Sequence, residues 1–219
     1  MIRPTNTANL CVIGRTSSRR GLTLLEMMLA LTITAMVALA IAGMMGAVSA
    51  GLANRADART LMIAGHAAQI RLGTYITPAR CILDADGQRL VVWFNDDREG
   101  DTVHASEMRW LMYDDDRSVL EMHYVDFPDS WSELERDRRD REYSRDADWF
   151  DVLDYYDSQN WISTTVLIDE LVDLRFSLPD DSPINARQVI THLTFDGVGT
   201  QQDVAVSSTI RRHGQPDSF

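Results

Sequence analysis

The sequence predicts an α+β fold: a long N-terminal helix, apolar in its first part and amphipathic in its second, packed on an antiparallel β-sheet head. Three observations predict it. Met27 to Asn54 is a run of 28 uncharged, mostly apolar residues. Beyond it, Ala58, Leu61, Met62, Gly65, Ala68, Leu72 and Ile76 recur at spacings of three or four, the period of one helix face. From Arg80 onward the pattern changes to short alternating runs bounded by Asp, Asn, Gly and Pro, which is how strands and their turns read.

The chain has 219 residues, room for one sizeable domain plus an anchor. Apolar residues make up 45% and charged residues 25%, an ordinary balance for a folded protein. Net charge is −12, and every one of the 21 basic residues is arginine. So acidic a chain is not expected to contact nucleic acid, which needs a basic face. The charge is unevenly placed. Residues 1–21 carry Arg3, Arg15, Arg19 and Arg20 and no acid, so the remainder carries −16.

The apolar run is long enough to cross a hydrocarbon core of ~30 Å, which takes roughly 20 residues. Four arginines precede it; Arg55, Asp57 and Arg59 follow it. The positive-inside rule puts residues 1–21 in the cytoplasm and residues 55–219 on the far side. A secretory signal has its cleavage site after the apolar core, behind small residues; here the arginines and Gly21 come before it. One carboxylate, Glu26, stands at the head of the apolar helix. Deep in a bilayer a carboxylate costs about 2.5–3.5 kcal/mol or more and marks a function or a buried partner. At a first helical turn it also meets the favourable end of the macrodipole.

Arg19-Arg20-Gly21-Leu22-Thr23-Leu24-Leu25-Glu26 resembles the prepilin peptidase signature of type IV pilins and type II secretion pseudopilins. The resemblance covers residues 19 to about 50. It implies cleavage between Gly21 and Leu22 by a prepilin peptidase, N-methylation of the new terminus at Leu22, and an alignment role for Glu26 against other pilin or pseudopilin subunits. A glycine before the scissile bond lets a protease approach extended backbone. A glutamate facing a neighbour's terminal amine fixes register more than it adds stability. Many pilins kink this helix with a proline; here Gly43, Gly46 and Gly51 are its only breakers. They read equally as local softening, at about 1 kcal/mol each, or as sites of close helix packing. The expected divisions are a leader at 1–21, a transmembrane and assembly helix at 22–54, its amphipathic continuation at 55–77, and a β-rich head at 78–219. Such a protein sits in the inner membrane as a single-pass chain with a periplasmic head, or at a filament tip. The alternative is an uncut, signal-anchored extracytoplasmic binding protein in which Glu26 is merely interfacial.

Pro78 ends the helix, and Thr77 before it favours extended backbone. Strands are expected at Arg80–Leu83, Arg89–Phe94, Glu107–Tyr113 and Ser118–Val125. Turns follow at Asp84–Gly87 and Asp114–Asp116. Residues 128–163 interrupt the strands. Glu133 to Asp148 mixes charges with almost no apolar stripe, so it reads as a solvated helix or a loop, either an exposed insertion or a contact surface. Trp131, Trp149, Phe150, Tyr155, Tyr156 and Trp161 flank it, and some are expected to pin its ends to the core. Strands resume at Thr164–Ile168, Leu171–Leu178, Arg187–Phe195 and Val204–Arg211. This ending is similar to the larger minor pilins and the J-type minor pseudopilins.

No catalytic constellation appears, and no enzyme activity, cofactor or metal is expected. His66, His104, His123, His192 and His213 form no ligand spacing. No Gly-x-Ser-x-Gly, P-loop or Gly-x-Gly-x-x-Gly occurs. Aspartates cluster at Asp84/Asp86, Asp96/Asp97, Asp114–Asp116 and Asp180/Asp181. They lack EF-hand spacing, and turns favour aspartate in any case. Of the two cysteines, Cys11 falls in the leader, and Cys81 reads as a small buried apolar residue.

Overall fold

The computed structural model describes residues 23–95, 102–180, 182–196, 201–211 and 213–216, with 52–58 as backbone only. The chain divides into two compact units, one ending at Gly51 and one starting at Leu52.

The first unit contains the apolar part of helix α1, which runs from Leu24 to Ile76. Leu24–Gly51 has a mean hydropathy of 2.2. Large apolar side chains point outward on every side of it, among them Leu25, Met28, Leu31, Met36, Leu39 and Met44, each more than half exposed. No described residue of this unit buries them. A surface of that size belongs in lipid or against neighbouring helices.

The second unit begins with the rest of α1. Gly65, Ala68, Leu72 and Ile76 are buried there; Leu61, Ala64 and Tyr75 pack beside the same core. The stripe anticipated from spacing differs at one place. Met62 is 75% exposed, because it lies one residue past Leu61, at the edge of the buried face. Ala58 belongs to the backbone-only stretch.

Ten strands follow. β1 is Cys81–Asp86, β2 Arg89–Trp93, β3 Val103–His104, β4 Met108–Asp114 and β5 Val119–Val125. After helix α2 (Glu133–Arg139) come β6 (Glu142–Tyr143) and helix α3 (Trp149–Ser158). β7 (Ile162–Ile168), β8 (Leu171–Ser177), β9 (Gln188–Asp196) and β10 (Gln201–Thr209) complete the order. Every pairing is antiparallel. The sheets run β1-β2-β4-β5-β7, β10-β9-β8 and β3-β6.

Two local differences from the alternating pattern have a physical cause. β1 continues through Asp86, and the turn is the tight Gly87-Gln88 pair, with Gly87 at φ 53°. A two-residue hairpin needs that positive φ, which glycine adopts without strain. In β8, a register shift between Leu171 and Asp173 puts Leu171 in the same core as Leu174 and Phe176. A bulge of this kind absorbs one residue and resets which side chains face inward.

The five-stranded sheet is covered on both faces except at Thr164–Val166 of β7. On one, Leu90, Val92, Leu111 and Leu120 pack with Leu72 and Ile76 of α1 and with Leu174, Leu193 and Val206 of the three-stranded sheet. On the other, Val91, Trp93, Met108 and Trp110 pack with Trp149, Val152, Leu153 and Tyr156 of α3. That explains β2: Leu-Val-Val-Trp is buried at four consecutive positions because both its faces are covered. Within residues 128–163 the charged stretch and the aromatics that flank it differ, and Trp149 and Tyr156 do reach the core. α2 has no buried residue, but α3 forms one wall of the second core.

Candidate functional site

Local chemistry at the start of α1 positions Glu26. Thr23 is the last non-helical residue and Glu26 lies three residues on. The Thr23 N–H donates to Glu26 Oε2 at 2.8 Å, and the Thr23 hydroxyl donates to the same oxygen at 3.1 Å. In return, the Glu26 N–H donates to Thr23 Oγ1 at 3.3 Å. This is a reciprocal capping box, Thr-x-x-Glu, which satisfies N–H groups that helix geometry leaves without carbonyl partners. Met27 N–H closes the first turn on Thr23 C=O at 3.1 Å.

The box has a functional consequence. A glutamate on a helix surface sweeps through many rotamers; here Thr23 holds the carboxylate against the N-terminal end of its own helix. Both hydrogen bonds described to it land on Oε2. A carboxylate has about four lone-pair sites, so a neighbour's cation can be accepted without breaking the cap. Glu26 is thus presented at one place at the head of an apolar surface. Spacing already made Glu26 legible, but Thr23 was not recognised as its partner. The signal was present: threonine three residues before glutamate, just ahead of an apolar run.

Gly21 and Leu22, where the resemblance puts the cleavage and the methylation, lie outside the described residues. So do Asp96, Asp97 and Asp181 of the aspartate clusters. Of the described ones, Asp84 and Asp86 lie in β1, where Asp84 Oδ1 accepts the Ala85 N–H at 2.7 Å and Asp86 pairs with Arg89, and Asp114 Oδ1 accepts the Arg117 N–H at 3.1 Å across the β4–β5 turn.

The histidines are dispersed. His104 is buried, with Nδ1 3.4 Å from Asp140 C=O. His123 Nδ1 lies 3.0 Å from the Thr164 hydroxyl. His213 Nε2 meets Ile184 C=O at 2.7 Å. His66 is on α1 and His192 on β9, both exposed. Cys81 is fully buried. Burial pushes its thiol up to about 12 despite Arg80 alongside, so it stays protonated and unreactive.

No curated protein and no solved structure matches this chain. Residues 16–42 match the family model described as the prokaryotic N-terminal methylation motif. That stretch contains Gly21, Leu22, Thr23 and Glu26 together with the first part of the apolar helix. The match supports a type IV pilin-like chain, structural in character, anchored by a single N-terminal helix.

Proposed function

We propose that this protein is a minor pilin or pseudopilin of a type IV pilus or type II secretion-like filament. A prepilin peptidase removes residues 1–21 by cutting between Gly21 and Leu22, and Leu22 becomes the N-methylated terminus. Residues 22–54 hold the mature chain in the inner membrane and later pack among other subunits, with 55–77 joining them to a periplasmic head at 78–219. Glu26 aligns subunits by accepting a neighbour's terminal amine. The role is structural.

One observation carries the reading. The methylation motif spans residues 16–42 and overlaps the exposed apolar part of α1, Leu24–Gly51, whose one carboxylate, Glu26, is held by Thr23. A plain anchor needs no carboxylate there. The ending of the sequence, with its Pro-containing loop and final hairpin, is similar to the larger minor pilins and the J-type minor pseudopilins, which supports the minor-subunit reading.

Intact-mass analysis of the membrane form tests the processing. The expected mass lacks residues 1–21 and carries one added methyl group. A terminus still at Met1 sinks the proposal and leaves the uncut, signal-anchored binding protein in its place. Glu26→Ala separates the same two readings at a later step. It is expected to be cut normally and to fail in pull-down of co-expressed pilin-like subunits; unchanged pull-down removes the alignment role.

A further inference from the structure

A sheet edge left open recruits strands from other chains, and folded proteins close their edges with charge, proline, bulges or a covering element. Three of the four edges of the two larger sheets are closed in those ways. β1 carries Asp84, Asp86 and a bulge, and its first half is buried. β8 carries Asp173, Arg175 and a bulge, and donates Leu171 N–H to Ser118 C=O and Phe176 N–H to Gly87 C=O. β10 carries Asp203 and lies against α1, close enough that a Cβ on Gly65 would meet Val204 Cγ1 at 2.9 Å.

β7 is the exception. Its sequence, Ile-Ser-Thr-Thr-Val-Leu-Ile, has no charge, no proline and no glycine, and it pairs with β5 alone. Thr164, Thr165 and Val166 are exposed in succession, so neither face nor edge is covered there. Pairing geometry identifies the open groups. Asp126 N–H donates to Trp161 C=O at 2.8 Å, which makes 126 and 161 a hydrogen-bonded pair. By alternation, Tyr124–Ser163 and Met122–Thr165 are hydrogen-bonded pairs too. Ile162, Thr164 and Val166 therefore turn their N–H and C=O groups away from β5. No described hydrogen bond outside the ladder engages them. The open stretch ends at Leu167, an extra residue in the register, whose C=O accepts Arg71 Nη1.

We infer that β7 is a docking edge for an extended segment of a partner protein, uncharged and β-branched in its middle and bearing Arg or Lys at its ends. Main-chain pairing to Ile162, Thr164 and Val166 supplies the attachment. The charge around the edge sets the chemistry of the ends. Exposed Asp126, Asp157, Asp169 and Glu170 flank β7, and the chain carries −12 overall. A second copy is disfavoured for the same reason. Antiparallel self-pairing centred on Thr164 sets Asp169 and Glu170 of one copy opposite Gln159 and Ser158 of the other, next to Asp157.

The test uses the full-length protein in detergent and a fluorescein-labelled peptide, Arg-Thr-Val-Thr-Val-Thr-Val-Thr-Arg. Saturable binding is expected, with amide exchange slowed at Ile162, Thr164 and Val166. The same peptide ended by aspartates should bind about tenfold more weakly, because acid then meets acid. T164P removes one outward N–H at an edge position that tolerates proline, and should weaken binding by about tenfold. Unchanged exchange at those three amides, or equal binding by T164P and the unaltered protein, overturns the inference. Protection of the same amides without peptide, rising with protein concentration, overturns it in favour of a second copy. Should T164P lose its near-ultraviolet circular dichroism, the exchange experiment on the unaltered chain decides alone.

Discussion

Glu26 and Thr23 form a unit at the residue scale. Thr23→Ala removes the hydroxyl that donates to the carboxylate and accepts the Glu26 N–H. Cap losses of this type cost about 1 kcal/mol. Faster amide exchange over residues 25–27 is expected, with Thr23→Ser restoring protection and the rest of α1 unaffected. His123 makes a second residue-scale prediction. Burial lowers its pKa from the ordinary 6.5, although Glu121, Asp157 and Asp114 oppose the shift. The unfolded chain then binds this proton more readily than the folded one, so the stability that His123 confers falls as pH drops through about 6.5. It levels off once the folded value is passed. His123→Gln should flatten the urea-midpoint-versus-pH curve below neutrality and leave it unchanged above pH 7.5 or so. The glutamate was legible as a lone carboxylate in an apolar run. The burial of His123 was not, because it depends on what β7 and α3 bring up beside β5.

At the scale of elements, the contact between α1 and β10 is governed by Gly65. A methyl there would come within 2.9 Å of Val204 Cγ1, and a short branched side chain has little room to retreat. Gly65→Ala gains up to about 1 kcal/mol in helix propensity and loses about 1–3 kcal/mol to overpacking. Net destabilisation is expected by chemical denaturation. Val204→Ala in the same chain should recover most of it, giving a coupling that independent sites do not show. The helix stripe of Gly65, Ala68, Leu72 and Ile76 could be read from spacing alone. α3 is legible too, since Trp149, Val152, Leu153 and Tyr156 stand at i, i+3, i+4 and i+7, directly after a charged stretch that has no such stripe. Its N-cap was visible as well: Asp148 Oδ1 accepts the Phe150 and Asp151 N–H groups at 3.1 and 3.2 Å.

In the molecule as a whole, the second unit has two cores, one on each face of the five-stranded sheet, and Tyr156 ties the second of them to α2. Its hydroxyl donates to Arg139 C=O at 2.8 Å and accepts the Arg141 N–H at 3.2 Å, while its ring is fully buried. Tyr156→Phe removes the hydroxyl that both the Arg139 carbonyl and the Arg141 amide use. A loss of about 1–3 kcal/mol is expected, together with faster proteolysis at the arginines of α2, where an equal-volume change without hydrogen-bond loss would have little effect. The first unit makes a different demand. Its apolar surface is exposed all round, so the fate of the molecule depends on lipid and on other chains.

Periodicity determined much of this protein unaided. An uncharged, apolar run of 28 residues is long enough to cross a membrane as a helix, and a following stripe of period 3.6 lays one face on a core. The motif around Gly21 and Glu26 is local chemistry on consecutive residues, so it needs no fold to be seen. Tertiary structure decided what depends on strand order. Spacing alone did not tell that β2 would be covered on both faces, that a bulge would return Leu171 to the core, or that β7 would end at an open edge. Each of those follows from which strands lie side by side, and strand neighbours are chosen by long-range packing.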